Sequence, residues 1–318
     1  MELLDRTYGR LNGYDDLYFE MLDRVHQRLL PRTYVEIGVN NGRSLTLALP
    51  GTACVGIDPE PSLRYPAPRG SRIFAETSDE FFDRHDLATL FGGVPVDLAF
   101  IDGMHLFEYA LRDFMNLERS AHPEATILIH DCLPVDAVSA GRDRSPYPWS
   151  GDVWRLILLL REQRPELEVS VVDWPPTGVG VVRGLDPHST LLADRYDELV
   201  ERYLAVPYQH LDDGTMHQQL HTVRGDWPSV AALLPDRSYR SGIVELLMVQ
   251  RTATAVVPAL RRAYEEPERV RARRLRYFRR RERSIRRRNR ARLRKRFRRK
   301  ARRRLKRYVN RAVPRNHS

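Results

Sequence analysis

The sequence predicts an α/β protein: a seven-stranded, mostly parallel sheet with an antiparallel last strand, then a helical extension and a basic tail. Three observations predict it. Apolar runs of strand length alternate with helical-looking segments through residues 1–186, as right-handed crossovers of a parallel sheet require. Four of those runs close on an acid or a histidine, at Glu36, Asp58, Asp102 and the pair His130-Asp131. Residues 269–318 then hold 27 Lys and Arg against one acid, Glu282, a change of composition too abrupt to belong to the same unit.

The elements follow in order. Residues 15–30 carry Leu17, Met21, Leu22, Val25 and Leu29 near helical spacing, and Pro31 ends the helix. Strands are predicted at 33–39, 52–58, 71–76, 96–102 and 125–131, with helices at 42–49, 78–90, 106–119 and 151–163. Only the link between the second and third strands lacks a helix; Pro59, Pro61, Pro66, Pro68 and Gly70 make it a turn-rich connection. The last two strands, 167–174 and 178–184, are separated by the short Trp174-Pro175-Pro176-Thr177, which suits a hairpin and makes the final strand antiparallel. Beyond 186 the strand signal fades; 190–206 and 242–264 read as helices, joined by a polar connection around 210–238. The expected division is 1–186 for the sheet domain, 187–267 for the helical extension and 268–318 for the tail.

The net charge of +11 conceals opposed parts: residues 269–318 carry +26, leaving 26 basic and 41 acidic residues, or −15, in 1–268. The two cysteines, Cys54 and Cys132, are too few for a disulfide framework and read as reduced thiols. The N-terminus has no basic-then-apolar signal pattern, and Leu156–Leu160 is far shorter than the about 20 residues of a membrane span. A cytoplasmic protein is the expectation, held at a membrane surface or polyanion only through its tail.

The first strand runs into Glu36-Ile37-Gly38-Val39-Asn40-Asn41-Gly42. Glycines there let the backbone turn sharply and approach a ligand at a helix start. The G-x-x-x-G spacing is not the G-x-G-x-x-G of pyrophosphate binding. Asp58, twenty positions after Gly38, closes the second strand, where a carboxylate can accept hydrogen bonds from both ribose hydroxyls. Together they favour an adenosine-containing ligand. Glu36 has a structural alternative, capping the backbone of its own loop.

With Ile101-Asp102-Gly103-Met104-His105, Asp113 on the next helix and Ile129-His130-Asp131, the chain resembles the class I S-adenosylmethionine-dependent methyltransferases over roughly 30–186. The closer resemblance is to the branch related to macrolide-sugar O-methyltransferases and cephalosporin-hydroxylase-like proteins. Trp149-Ser150-Gly151-Asp152-Val153-Trp154 and Pro175-Pro176-Thr177-Gly178 resemble stretches in bacterial relatives of that group. The resemblance implies a Rossmann-like fold and S-adenosyl-L-methionine as cofactor. It implies that Glu36, Gly38 and Gly42 wrap the methionine end, Asp58 the ribose, and Thr77 and Ser78 the adenine.

Methyl transfer from a sulfonium is an in-line displacement, and a sugar or alcohol hydroxyl is a weak nucleophile near neutral pH. A general base and a divalent cation both help. Asp102, His105 and Asp131 could provide both, the carboxylates suiting an oxygen-preferring ion such as Mg²⁺. In relatives with this pattern the equivalent histidine is the base and the acids bind metal. Some relatives carry Glu-Asp where this chain has His130-Asp131. His130 is therefore either a ligand that turns the site toward Mn²⁺ or Fe²⁺, or a helper whose ring the strand pleat directs away from Asp131. Asp113 also reads as a solvated face residue, and Asp152 as a helix N-cap.

The Arg-rich tail repels itself and reads as disordered or a fraying helix. Its expected partner is a polyanion: nucleic acid, an anionic membrane surface, an acidic polysaccharide or the acidic body of the same protein. The reading is an S-adenosylmethionine-dependent O-methyltransferase of a small molecule or saccharide, with His105 as base, metal at Asp102 and Asp131 (His130 the weaker candidate), and a homo-oligomer among its forms. Two rivals stand beside it. One is a nucleic-acid methyltransferase, which the fourth strand's lack of an Asn/Asp-Pro-Pro-Tyr-type loop disfavours; the other is a non-catalytic protein of this fold tethered by its tail.

Overall fold

The computed structural model describes residues 17–144, 149–212 and 215–235. The predicted helix at 242–264 and the basic tail at 268–318 lie outside the described residues, as do residues 15–16 of the first predicted helix.

The described chain forms an α/β structure around one eight-stranded sheet of order β3-β2-β1-β4-β5-β7-β6-β8. Its strands are β1 (Thr33–Ile37), β2 (Ala53–Ile57), β3 (Arg72–Phe74), β4 (Val96–Ile101), β5 (Ala121–His130), β6 (Glu168–Asp173), β7 (Val179–Arg183) and β8 (Thr222–Arg224). Only β7 runs antiparallel to its neighbours, through the expected hairpin with β6. The strand order reverses between β1 and β4, so the loops leaving those two strands diverge and open a crevice at the sheet's carboxyl edge.

Central strands are buried on both faces and accordingly read as continuous apolar runs, as in Val96–Ile101. Helix α1 (Leu17–Leu29) places Met21, Leu22, Val25 and Leu29 in the core, as their spacing predicts. Helices α4 (Phe107–Ser120) and α5 (Trp154–Gln163) cover the sheet, burying Phe107, Leu111, Phe114 and Leu117 from one and Trp154, Leu156, Ile157, Leu159 and Leu160 from the other.

Several elements differ from expectation. The helix predicted at 42–49 is a single 3₁₀ turn, Leu45–Leu47; Gly42 in the left-handed region (φ +80°) delays its start and Pro50-Gly51 ends it. The helix predicted at 78–90 is two, α2 (Ser78–Arg84) and α3 (Leu87–Leu90), because the Asp86 carboxylate accepts from the amides of Ala88 and Thr89 and starts a second helix. Residues 190–206 likewise form α6 (Leu191–Asp194) and α7 (Tyr196–Leu204). The polar connection holds α8 (Gln209–Asp212), α9 (Met216–Gln219), the unforeseen strand β8 and α10 (Trp227–Leu233). β8 pairs with β6, so the segment expected to be helical also extends the sheet. Both cysteines are free and buried. Among the described residues no helix is long and apolar enough to cross a membrane.

Candidate active site

Hydrogen bonds continue past the strand ends and hold the loops of the crevice together. The Asp102 amide donates to Ile37 O (2.9 Å) and the Gly38 amide to Ile57 O (2.8 Å). Gly38 has φ +90°, and a Cβ there would fall 2.0 Å from Asp102 O. Glycine is required because the backbone of β4 passes where a side chain would be.

At the ends of β4 and β5, two carboxylates alternate with two imidazoles. Asp102 Oδ1 lies 3.3 Å from His105 Nε2 and 3.1 Å from His130 Nδ1. Asp131 Oδ2 lies 2.8 Å from His105 Nδ1 and 3.4 Å from His130 Nδ1. The Thr177 hydroxyl donates to Asp131 Oδ1. Burial works against ionisation at both acids, but the charges of His130 and His105 outweigh it and hold both carboxyls below their usual range. The same attraction, acting against burial, holds His105 well above the ordinary histidine value and His130 up at about 10. The two rings thus carry the positive charge that balances the two carboxylates.

The backbone here is strained. His105 (φ +59°) and Asp131 (φ +62°) both occupy the left-handed region, which costs a non-glycine residue about 1–3 kcal/mol and persists only where surroundings hold it.

The donor set suits a divalent cation. One ligand atom each from Asp102, His105 and Asp131 lies within 4.8 Å of the others. Asp131 Oδ2 is close to His105 Nδ1 but poorly aligned with it, so this buried oxygen accepts no hydrogen bond, and His130 Nε2 is buried without a partner as well. The two carboxylate oxygens match the preferences of Mg²⁺ or Mn²⁺, and the imidazole lies close beside them.

Sequence reasoning assigned no role to four residues that build this cluster. Trp149 stacks on the His105 ring. Gly151 (φ +59°) lets its loop press against the His105 backbone. Thr177 reaches Asp131 from the β6–β7 hairpin. Tyr18, on α1, lies 4.6 Å from the His130 ring centroid, and burial followed by the Asp102 and Glu36 charges raises its phenol pKa well above the ordinary value. Trp149, Gly151 and Thr177 sit in the two stretches whose resemblance to relatives was visible; Tyr18 left no signal beyond its place in an amphipathic helix.

Around the first three loops, Glu36 is fully buried. It accepts hydrogen bonds from Tyr34 Oη (2.7 Å) and Ser44 Oγ (2.6 Å). Burial pushes its carboxyl up to about 8 against the pull of those donors. Its carboxylate ties β1 to its own loop. Gly42 faces Leu63 and Tyr65 of the turn-rich link. Asp58 closes β2 and accepts from the amides of Asn40 (2.7 Å) and Glu60 (2.8 Å), so it shapes both flanking loops at the crevice rim. Thr77 is the N-cap of α2 in a capping box with Glu80, which engages its hydroxyl. The structure buries Asp113 rather than leaving it on a solvated face, with Ser78 as a neighbour; burial raises the Asp113 carboxyl to about 7. Asp152 is a cap, as its setting suggested, but for α4, accepting from the Phe107 amide (2.9 Å).

Residues 35–132 match the family model of a methyltransferase domain. This stretch is similar to a methyltransferase domain. No curated protein matches the chain. Among solved structures, the SAH-bound methyltransferase PaMTH1 of Podospora anserina is 15% identical, covering 58% of this chain and 88% of that one, with a TM-score of 0.42. An O-methyltransferase from Bacillus cereus in complex with SAH is 15% identical over 57% and 88%, with a TM-score of 0.40. TomG, an O-methyltransferase from Streptomyces achromogenes in complex with SAM, is 13% identical over 58% and 89%, with a TM-score of 0.41. Likenesses this distant carry no argument about substrate.

The matched residues include Glu36 through Asp131, and therefore both acids and both histidines of the cluster. Trp149, Gly151, Asp152 and Thr177 lie beyond them, so the chain completes this site with segments outside the matched residues.

Proposed function

We propose that the protein is an S-adenosylmethionine-dependent O-methyltransferase of a small-molecule or saccharide hydroxyl, with His105 as general base and Asp102 and Asp131 as metal ligands. One observation carries the reading: a methyltransferase domain whose β4 and β5 ends bring two carboxylates and two imidazoles together at the open edge of the sheet.

The β1 and β2 loops would hold the cofactor. Gly38 and Gly42 keep those loops free of side chains where the methionine end runs, with Glu36 bracing them from beneath. Asp58 would hold the ribose from the rim, and Thr77 and Ser78 would flank the adenine. Asp102 and Asp131 would hold a divalent ion such as Mg²⁺, which would lower the pKa of an acceptor hydroxyl. A cation on Asp102 and Asp131 would cancel the charges that keep His105 protonated, and the neutral ring would then take the hydroxyl proton at Nε2. That nitrogen makes the longer of the ring's two carboxylate contacts, whereas Nδ1 lies 2.8 Å from Asp131 and 3.4 Å from Trp149 O. The acceptor oxygen would then attack the methyl carbon in line, the O–C bond forming as the S–C bond breaks, and the sulfonium would leave as the neutral thioether S-adenosylhomocysteine. His130, 3.1 Å from Asp102, orients that acid and is the weaker ligand candidate. The basic tail holds the enzyme near a polyanion.

Calorimetric titration of S-adenosylhomocysteine, with and without Mg²⁺, into wild type and Asp58→Ala tests the reading. Binding by wild type that weakens at least tenfold in the variant is the expected result. No binding by wild type under either condition overturns it.

A further inference from the structure

We propose that Asp152 is the positioning residue for His105, an inference that rests on the methyl-transfer reading above. His105 follows a strand and precedes a helix, in a left-handed backbone conformation that its own side chain does not favour. Two consecutive residues from a loop 46 positions further on in sequence hold it there. Gly151 presses so close that a Cβ would fall 1.8 Å from His105 O. The Asp152 amide donates to that same carbonyl (3.2 Å), and Asp152 Oδ1 accepts from the Phe107 amide (2.9 Å). The turn is thus gripped on both sides of Leu106.

Asp152 can do this because its charge is neutralised where it lies. The residue is fully buried, and its other oxygen, Oδ2, accepts from Arg142 Nη1 (2.7 Å) and Arg155 Nε (3.1 Å). Arg142 also forks onto Glu108 in the first turn of α4 (2.8 and 2.5 Å). Arg155 donates to the carbonyls of Tyr203 (2.7 Å) and Val206. A buried carboxylate with two guanidinium partners is a fixed point, and α4 begins from it. Asp152 acts on His105 through the backbone, which makes it a positioning residue and not a catalytic one. The capping bond also aligns the start of α4 with the loop that carries Trp149, the residue stacked on the His105 ring.

The stacking supplies a readout that needs no acceptor. In full-length protein with isotope-labelled histidine, the His105 Cε1–H resonance is identified by its disappearance in His105→Gln. The ring current of Trp149 shifts it upfield, and Trp149→Leu returns it downfield. Asp152→Ala should move it the same way. Arg142→Gln, at a partly exposed residue, should move it in that direction by a smaller amount. Arg164→Met, which breaks a buried ion pair elsewhere on α4, should lower the melting temperature and leave the resonance in place. A resonance unmoved in Asp152→Ala, or in Arg142→Gln should the first variant fail to fold, overturns the proposal; so does an equal shift in Arg164→Met. Failure of the methyl-transfer reading is a different result: wild type that binds no S-adenosylhomocysteine removes the reaction, while the resonance still decides whether Asp152 places His105.

Discussion

The indole of Trp149 lies flat against the imidazole of His105, ring centroids 5.1 Å apart and planes 13° from parallel, across 44 residues of sequence. The indole N–H is anchored on Gly141 O (2.7 Å), which fixes the plane against which the histidine rests. An aromatic face favours a neighbouring cation, and the carboxylates of Asp131 and Asp102 keep His105 charged despite its burial.

Replacing Trp149 by Leu removes that plane. A stacked aromatic pair contributes about 0.5–1.5 kcal/mol beyond its buried area, so kcat should fall up to about tenfold while S-adenosylhomocysteine affinity stays within about twofold. Steady-state kinetics on a hydroxyl acceptor found by screening, beside calorimetry, separates the two. Equal losses in both would mean that the indole serves the cofactor loops instead.

Thr177→Val takes from Asp131 the hydroxyl that donates to Oδ1. Removing a hydrogen bond to a ligating carboxylate typically weakens metal binding about 10–100-fold. Titration of Mn²⁺, followed by water-proton relaxation, should show that loss, with the wild-type signal abolished in Asp102→Asn. Unchanged Mn²⁺ affinity in the Val variant would leave Thr177 with a hairpin role alone.

Glu36 gives a pH signature. A glutamate titrates near ~4.3 in the unfolded chain and at about 8 in its buried position. Between those values the folded protein holds a proton that the unfolded chain has lost, so this group makes stability fall as pH rises, by up to about 1.4 kcal/mol per pH unit. Glu36→Gln cannot titrate. The melting temperature of wild type relative to this variant should therefore decline from about pH 5 to about pH 8, then level off. A constant difference across that range would mean Glu36 is ionised throughout.

Arg164 and Glu118 form a buried two-pronged pair (2.9 and 3.0 Å) between α4 and the end of α5. Breaking such a pair by removing one partner costs about 3–5 kcal/mol, because the other charge stays buried. Arg164→Met should show that loss by urea denaturation, and Arg164→Met with Glu118→Leu should recover much of it. A double variant as unstable as the single one would put the weight on the additional contacts to Glu166 and the Asp186 amide.

Much of the site was legible because it lies in consecutive residues at strand ends. Asp102 and His105, three positions apart, and the adjacent His130 and Asp131 needed only the alternation of apolar runs to be placed at one edge. Thr77 and Asp152 were harder, since a hydroxyl or carboxylate at a loop–helix junction caps a helix as readily as it meets a ligand; both prove to be caps here, Thr77 of its own helix and Asp152 of one that begins 45 residues earlier. Asp113 looked solvated because helical period alone does not say which polar residue faces a neighbour, and Ser78 is that neighbour. The over-long helices at 42–49 and 78–90 failed for local reasons, a left-handed glycine in one and a competing aspartate cap in the other.

The sequence by itself determined a mostly parallel sheet, its antiparallel seventh strand, and the acids and histidines placed at the ends of its strands. Those follow from local rules: apolar period, turn chemistry and the direction of a crossover. Only the tertiary structure decided that Trp149 covers His105, that Thr177 holds Asp131, that Asp152 starts α4, and that β8 adds an edge to the sheet. Each of these joins residues far apart in the chain. Whether they meet depends on how loops pack over a finished sheet, which no local period encodes.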